Sequence, residues 1–203
     1  LQSEGFWGVK LEIAQLLGKN GTAAARLALL ACINDEHPKA RAPIVDALGH
    51  LPSHPDVIEA LTHIVNNGDK SIQVEGSAIR ALGRLRAPGV VELALEVAQR
   101  PSWGALLSCR ALTAISLTRD ESALGHLLEW TKPDKNERAR CTAAAGLGRL
   151  AKQVDSAREE AVSRLAELVQ TGGFRLKYTA VAALGTAGSP AGLAVLRSIH
   201  EGQ

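Results

Sequence analysis

A short motif returns along the whole chain at nearly constant spacing. A Leu-Gly pair closes an alanine-rich segment five times, and an Ile-Ser pair takes its place once. The six pairs are 31 to 37 residues apart in a chain of 203 residues. They end at Gly18, Gly49, Gly83, Ser116, Gly148 and Gly185. A period of this length is typical of a stack of helical hairpins, in which each copy packs only on its neighbours.

The residues before each pair follow the spacing of one helix face. Counted back from the last residue of the pair, the first, fourth, fifth and ninth positions are apolar in every copy. These offsets lie on one side of an α-helix, so they predict a buried stripe on the first helix of each copy. We also expect the glycine of each pair to end its helix in a left-handed conformation.

A second helix is predicted after each first helix. Pro55, Pro88 and Pro190 stand where three of these helices begin, a position at which the missing N–H of proline costs nothing. In the fifth copy we expect the extra residues 151–154 to lengthen the turn between the two helices. The predicted second helices span residues 22–33, 55–66, 88–99, 121–131, 156–170 and 190–200.

Charged residues mark the start of the first helices. An acidic residue lies fourteen positions before the closing glycine in four copies, and a basic residue lies eight positions before it in four copies. Both occur in copies one, two and five. We interpret them as an ion pair or hydrogen-bond link between turn and helix within a copy. The acidic residues are Glu4, Asp35, Asp69 and Asp134, and the basic residues are Lys10, Arg41, Arg140 and Lys177.

Composition and charge exclude several classes of protein. Aromatic residues make up only 3% of the chain, which argues against a β-sandwich or β-barrel. The 23 basic and 21 acidic residues are too evenly balanced for a nucleic-acid-binding protein, and no apolar run is long enough for a membrane span. The three distant cysteines and the lack of a signal-peptide pattern predict reduced thiols and a cytoplasmic rather than secreted protein.

Residues 35–41, with the sequence Asp-Glu-His-Pro-Lys-Ala-Arg, continue to Ala-Leu-Gly at residues 47–49 and resemble the HEAT-repeat consensus. The resemblance extends over all six copies. It implies an all-α fold, a right-handed, ARM-like α-solenoid of about six HEAT-like helical hairpins in a single domain, 1–203. The predicted copies are approximately 4–34, 35–68, 69–101, 102–133, 134–171 and 172–203.

A narrower resemblance rests on aromatic landmarks. They are Phe-Trp-Gly-Val-Lys at residues 6–10, Pro-Ser-Trp at 101–103 and Leu-Glu-Trp-Thr at 128–131. In this order they resemble the C-terminal HEAT-type region of bacterial zinc aminopeptidases related to aminopeptidase N. In that family the region covers a separate catalytic domain and shapes access to it. Because the chain does not begin with Met, we expect it to be a piece of such a longer protein.

No residue pattern for catalysis is present. The zinc motif His-Glu-x-x-His of the aminopeptidases does not occur in this chain. His50 and His54 are four residues apart, but they lie in a predicted loop and are expected to be solvated. We therefore expect no catalytic residue, no metal ligand and no cofactor.

The second helices carry a candidate binding face. In HEAT-like stacks these helices line the concave side, and residues four apart on a helix share a face. Two interpretations are open: an ordinary solvated face, or a surface for a basic peptide or a positively charged partner. The members of this acidic ridge are Glu59, His63, Glu92, Glu96, Glu129 and Glu167.

The three tryptophans, Trp7, Trp103 and Trp130, lie at predicted helix ends. Large aromatic residues at such places either fill gaps between copies or dock a partner. Gap filling is the main interpretation for all three. Trp7 is the docking candidate because it lies in the first copy.

The sequence thus predicts a non-catalytic interaction or capping domain, the C-terminal part of an aminopeptidase N-like zinc peptidase. Its partner would be a protein or peptide, which includes the catalytic domain of the same polypeptide, and not nucleic acid or a membrane. A free-standing HEAT adaptor is the alternative. An enzyme in its own right, like the HEAT-like bilin lyases that the chain resembles in repeat type only, is disfavoured because no catalytic set is clustered.

Overall fold

The computed structural model describes residue 1 and residues 3–201, and the chain divides into two compact units, Leu1–Ala114 and Ile115–Gln203. Every regular element among the described residues is helical, which confirms the all-α prediction. Residue 2 of the predicted domain and residues 202 and 203 of its sixth copy lie outside the described residues. The single domain and the six copy boundaries stay predictions.

First and second helices alternate along the described part of the chain, as predicted for HEAT-like hairpins. The first helices are α1 (Trp7–Asn20), α3 (Pro38–Leu48), α5 (Ile72–Leu85), α7 (Leu106–Leu117), α9 (Glu137–Gln153) and α11 (Phe174–Ala187). The second helices are α2 (Ala23–Leu30), α4 (Pro55–Asn67), α6 (Val90–Gln99), α8 (Ala123–Glu129), α10 (Asp155–Thr171) and α12 (Pro190–His200). A 3-10 turn, Trp103–Ala105, precedes α7. None of the helices so described is both long and apolar enough to cross a membrane.

The first helices bury the predicted stripe. In the first unit α1 packs on α3 and α3 packs on α5, and in the second unit α9 packs on α11. The residue five positions before the last residue of the pair is fully buried in copies two to six. These residues are Ile44, Ala78, Ala111, Ala143 and Ala180. Four of the five are alanines, whose small side chains let the first helices come close together. The burial confirms the predicted stripe in these copies, whereas in copy one Val9, at the ninth position, is 41% exposed and the prediction is wrong there.

The glycines of the Leu-Gly pairs do not end their helices in a left-handed conformation, and this expectation is wrong. Positive φ angles occur instead at glycines such as Gly21 (φ 71) and Gly188 (φ 63). Gly83 lies inside α5, where a Cβ would be 2.5 Å from the Cα of Ala114. The same close contact joins Gly18 to Ala47, Gly49 to Ala81 and Gly148 to Ala183. The missing side chain therefore lets neighbouring first helices touch along their backbones.

The predicted ion pairs form between copies, not within one. Lys10 pairs with Asp35 of the next copy, and Arg41 Nη2 lies 2.8 Å from Asp69 Oδ1 of the copy after its own. Within its own copy Arg41 donates to the backbone carbonyl of Asp35 at 2.8 Å, since the Asp35 carboxylate is taken by Lys10. In copy five Arg140 donates to a backbone carbonyl instead of pairing with the acidic residue. The interpretation as an ion pair within one copy is thus wrong, whereas the hydrogen-bond link between turn and helix is present in copy two, from Arg41 to the carbonyl of Asp35.

The extra residues of the fifth copy extend a helix. Residues 151–153 form the last turn of α9, and Val154 alone separates it from α10. Alanine, lysine and glutamine are good helix formers, and Arg158 Nε donates to the carbonyl of Ala151 at 3.0 Å. The expectation of a longer turn is wrong.

Candidate interaction surfaces

Four members of the acidic ridge lie on α4 and α6 in the first unit. Glu59 and His63 are on α4, Glu92 and Glu96 are on α6, and all four are exposed. They project from α4 and α6 because the opposite faces hold buried residues such as Leu61. Among the residues that the structure describes, none of the three carboxylates takes part in an ion pair. Their negative charge is therefore available to a partner.

The two ridge members of the second unit have local partners. Glu129 pairs with Lys132 and lies 3.7 Å from Lys135 Nζ, and the hydrogen bond from Lys132 lowers the pKa of its carboxyl. Glu167 accepts from Arg164 Nη1 at 2.6 Å. Both carboxylates are exposed, but neighbouring cations offset their charge. One continuous ridge of six residues stays a prediction.

Trp7 is enclosed by neighbours from the first two copies. Its ring stacks on His37 with centroids 5.9 Å apart, and Lys39 Nζ lies 4.9 Å from its centroid. The ring of Phe6 lies 5.6 Å away and is more exposed than Trp7. The docking role of Trp7 stays a prediction, and Phe6 is the more accessible aromatic residue beside it.

Other aromatic residues are far more exposed than Trp7. Trp103, on the 3-10 turn before α7, is 85% exposed, so the expectation that it fills a gap is wrong. Gly104, the middle residue of this turn, has a positive φ of 59°. Trp130 is buried, as gap filling requires. On α11 the ring of Phe174 is 89% exposed. No sequence signal marks it, because it stands seven residues before Val181, which belongs to the predicted stripe, and residues seven apart share a helix face.

A cluster of charged side chains joins α3 to α5, and sequence analysis missed it. Asp46 accepts hydrogen bonds from Arg80 and from Arg84 Nη1, the latter at 2.7 Å. Burial alone would raise the pKa of Asp46, but the hydrogen bond from Arg84 and the charges of both arginines outweigh it and lower the pKa. His50 Nε2 lies 3.8 Å from Asp46, and burial together with the charge of Arg84 lowers the pKa of His50. Asp46 therefore stays ionised between two arginines.

The contacts of His50, His54 and the cysteines bear on the prediction that they bind no metal. His54 precedes α4 and contacts Asp56 and Arg26, whereas His50 lies near Asp46. No cluster of three or more His, Cys, Asp or Glu side chains that could hold a metal ion occurs in residue 1 and residues 3–201. The three cysteines are free, and burial raises the pKa of the Cys32 thiol.

One comparison with known proteins supports the repeat type in the first part of the chain. Residues 1–73 match a family model described as HEAT repeats, which covers the first two hairpins and the start of α5. The curated proteins contain no match. Among solved structures, human deoxyhypusine hydroxylase in complex with glycerol is 24% identical. That match covers 97% of this chain and 74% of that chain, with a TM-score of 0.42.

Proposed function

We propose that this chain is a non-catalytic interaction module that binds a basic segment of a partner protein. The observation that carries the proposal is the set of exposed carboxylates on α4 and α6, Glu59, Glu92 and Glu96, which have no ion pair within the described residues. Such a set attracts Lys and Arg side chains and speeds their association. The HEAT-type repeat supports the role, because stacks of this kind present long surfaces to partners.

The test is a charge reversal at two neighbouring carboxylates. Binding of a labelled octalysine peptide is measured by fluorescence anisotropy for the wild type and for the Glu92→Lys, Glu96→Lys double variant. Exposed ion pairs contribute about 0.2–1 kcal/mol each, so two reversals should weaken binding roughly tenfold. The matched control is Glu159→Lys with Glu160→Lys, which makes the same change of net charge at exposed positions on α10.

The control separates a local surface from a general charge effect. We expect it to weaken octalysine binding less than threefold, and we expect the loss in the test variant to shrink in 0.5 M salt because exposed charges are screened. Equal losses in both double variants would contradict a binding face on α4 and α6.

We further propose that the module is the C-terminal capping region of an aminopeptidase N-like zinc peptidase. The landmarks at residues 6–10, 101–103 and 128–131 support this origin, and the catalytic domain of the same polypeptide would then be the partner. The coding sequence upstream tests it. A His-Glu-x-x-His motif with a downstream glutamate is the expected finding, and an unrelated upstream sequence would leave the free-standing adaptor in its place.

A further inference from the structure

A groove in the first unit differs in charge from the exposed carboxylates of α4 and α6. It has a volume of about 470 Å³ and is lined by residues of four first helices, α1, α3, α5 and α7. Gln15 and Gln73 contribute amide groups to the lining, and Ala42 and Pro43 contribute apolar surface. A groove of this composition can contact both the backbone and the side chains of a bound chain.

Cations outnumber carboxylates in this groove. Lys19, Arg80 and Arg110 line it, and Asp46 is the one carboxylate in the lining that the structure describes. Asp46 is also shared with Arg84, which donates to the same oxygen as Arg80. The carboxylate therefore offsets only part of the charge of the two arginines on α5, and Lys19 contributes a further positive charge at the end of α1.

The donors of the groove are held in place but not all satisfied. Arg80 Nε is buried and has no hydrogen-bond acceptor among the described residues. A Cβ at Gly76 would lie 2.8 Å from Cγ of Arg110, so glycine at that position gives the Arg110 side chain room to lie across α5. An unsatisfied buried donor is unfavourable, so a small movement of the Arg80 side chain toward the acceptor of a bound ligand would be favourable.

We infer that this groove binds an extended acidic peptide of a partner protein, whose carboxylates contact Lys19, Arg80 and Arg110. Neighbouring helices lie about 8–10 Å apart, so the groove crosses roughly 25 Å from α1 to α7. About seven residues of extended chain span that distance, which is far longer than one inorganic anion. Guanidinium groups also bind carboxylates through two parallel hydrogen bonds. This inference extends the proposed interaction role to a second surface, and its test does not involve α4 or α6.

The test measures the binding of labelled octaglutamate at 0.15 M salt. The Lys19→Glu, Arg110→Gln double variant should bind it at least tenfold more weakly than the wild type. The control Lys70→Glu changes an exposed lysine outside the groove and should stay within twofold. Circular dichroism confirms that each variant is folded, and Lys19→Glu alone, at the exposed last turn of α1, serves if the double variant does not fold.

Each outcome decides the inference. A folded double variant that binds octaglutamate like the wild type would overturn it, as would a wild type that does not bind octaglutamate. Octathymidylate that binds as tightly as octaglutamate and is lost in the same variant would overturn the peptide as ligand. Octalysine binding, which tests the carboxylates of α4 and α6, has no bearing on these results.

Discussion

A single methyl group tests the close contact between first helices. In the variant Gly83→Ala the new Cβ would lie 2.5 Å from the Cα of Ala114 and 2.6 Å from its carbonyl oxygen. Both are backbone atoms, so relief requires a shift of a whole helix. Overpacking of this kind costs about 1–3 kcal/mol, and alanine in place of glycine returns about 0.5–1 kcal/mol of helix propensity. We expect a net loss of about 2 kcal/mol, since a backbone contact lies at the costly end of that range.

Gly185→Ala is the matched control, because it makes the same change at the equivalent position of the last copy. A Cβ there has no atom within 4 Å, so only helix propensity acts. We expect a gain of up to about 0.5 kcal/mol, less than the full propensity because Gly185 lies in the last turn of α11.

The assay is urea unfolding followed by circular dichroism, with the unfolding free energy of each variant compared with that of the wild type. Repeat stacks can unfold in stages, so two-state behaviour is checked by a second probe, the fluorescence of the tryptophans. A Gly83→Ala variant as stable as the wild type would refute the close contact. Equal losses at Gly83 and Gly185 would instead attribute the effect to the loss of glycine itself.

Three further predictions follow from the packing and the charges. A double-mutant cycle on Arg41 and Asp69, measured by urea unfolding, should give a coupling of about 1 kcal/mol, because the pair is mostly shielded from water. The lowered pKa of Asp46 means that its carboxylate stabilises the fold above about pH 3.8 and that this contribution is lost as the pH falls through the lower folded-state pKa. Asp46→Asn should therefore flatten the decline of unfolding free energy below pH 4. Leu147→Ala should cost about 2–5 kcal/mol in urea unfolding and Glu96→Ala at most about 0.5 kcal/mol.

Each of these predictions has a result that contradicts it. The cycle on Asp134 and Arg140, which share the spacing of six but are not paired in the structure, should give a coupling near zero. If the coupling free energy of Asp134 and Arg140 were as large as that of Arg41 and Asp69, the contact between copies would not be the source of the coupling. An unchanged acid transition in Asp46→Asn, or equal losses at Leu147 and Glu96, would refute the environments assigned to those residues.

The helical architecture was predictable because each periodic offset marks one face of a helix. Pro55 and Pro190 begin α4 and α12 as their positions in the sequence predict. The role of Gly83 was not predictable, because the sequence shows a glycine in either case, whether the residue ends a helix or lets two helices touch. Only the backbone of Ala114 opposite it separates the two cases.

The ion pairs show how a repeat limits sequence reasoning. Arg41 and Asp35 are six residues apart, whereas Arg41 and its partner Asp69 are 28 residues apart. In a periodic chain both separations recur from copy to copy, so spacing alone cannot choose between them. The choice depends on the direction in which Asp35 and Asp69 face, which is set by packing.

The two candidate surfaces also differ in whether the sequence could predict them. The carboxylates of α4 and α6 were predictable because residues four apart share a helix face. The basic groove was not, because Lys19, Arg80 and Arg110 come from three helices and stand at different offsets from the closing pair of their copies. No helical period connects them, and only the side-by-side packing of the first helices brings them together.

The ion pairs between copies bear on how such a chain can change length. Copy two contributes Arg41 to copy three and Asp35 to copy one. Removal of that whole copy would therefore remove one charge of each sign and leave Lys10 of copy one opposite Asp69 of copy three. Copy three has Glu75 where copies one and two have their basic residue, so this exchangeable joint is confined to the first three copies. A gene for this chain can in this way lose its second hairpin without leaving either charge unmatched.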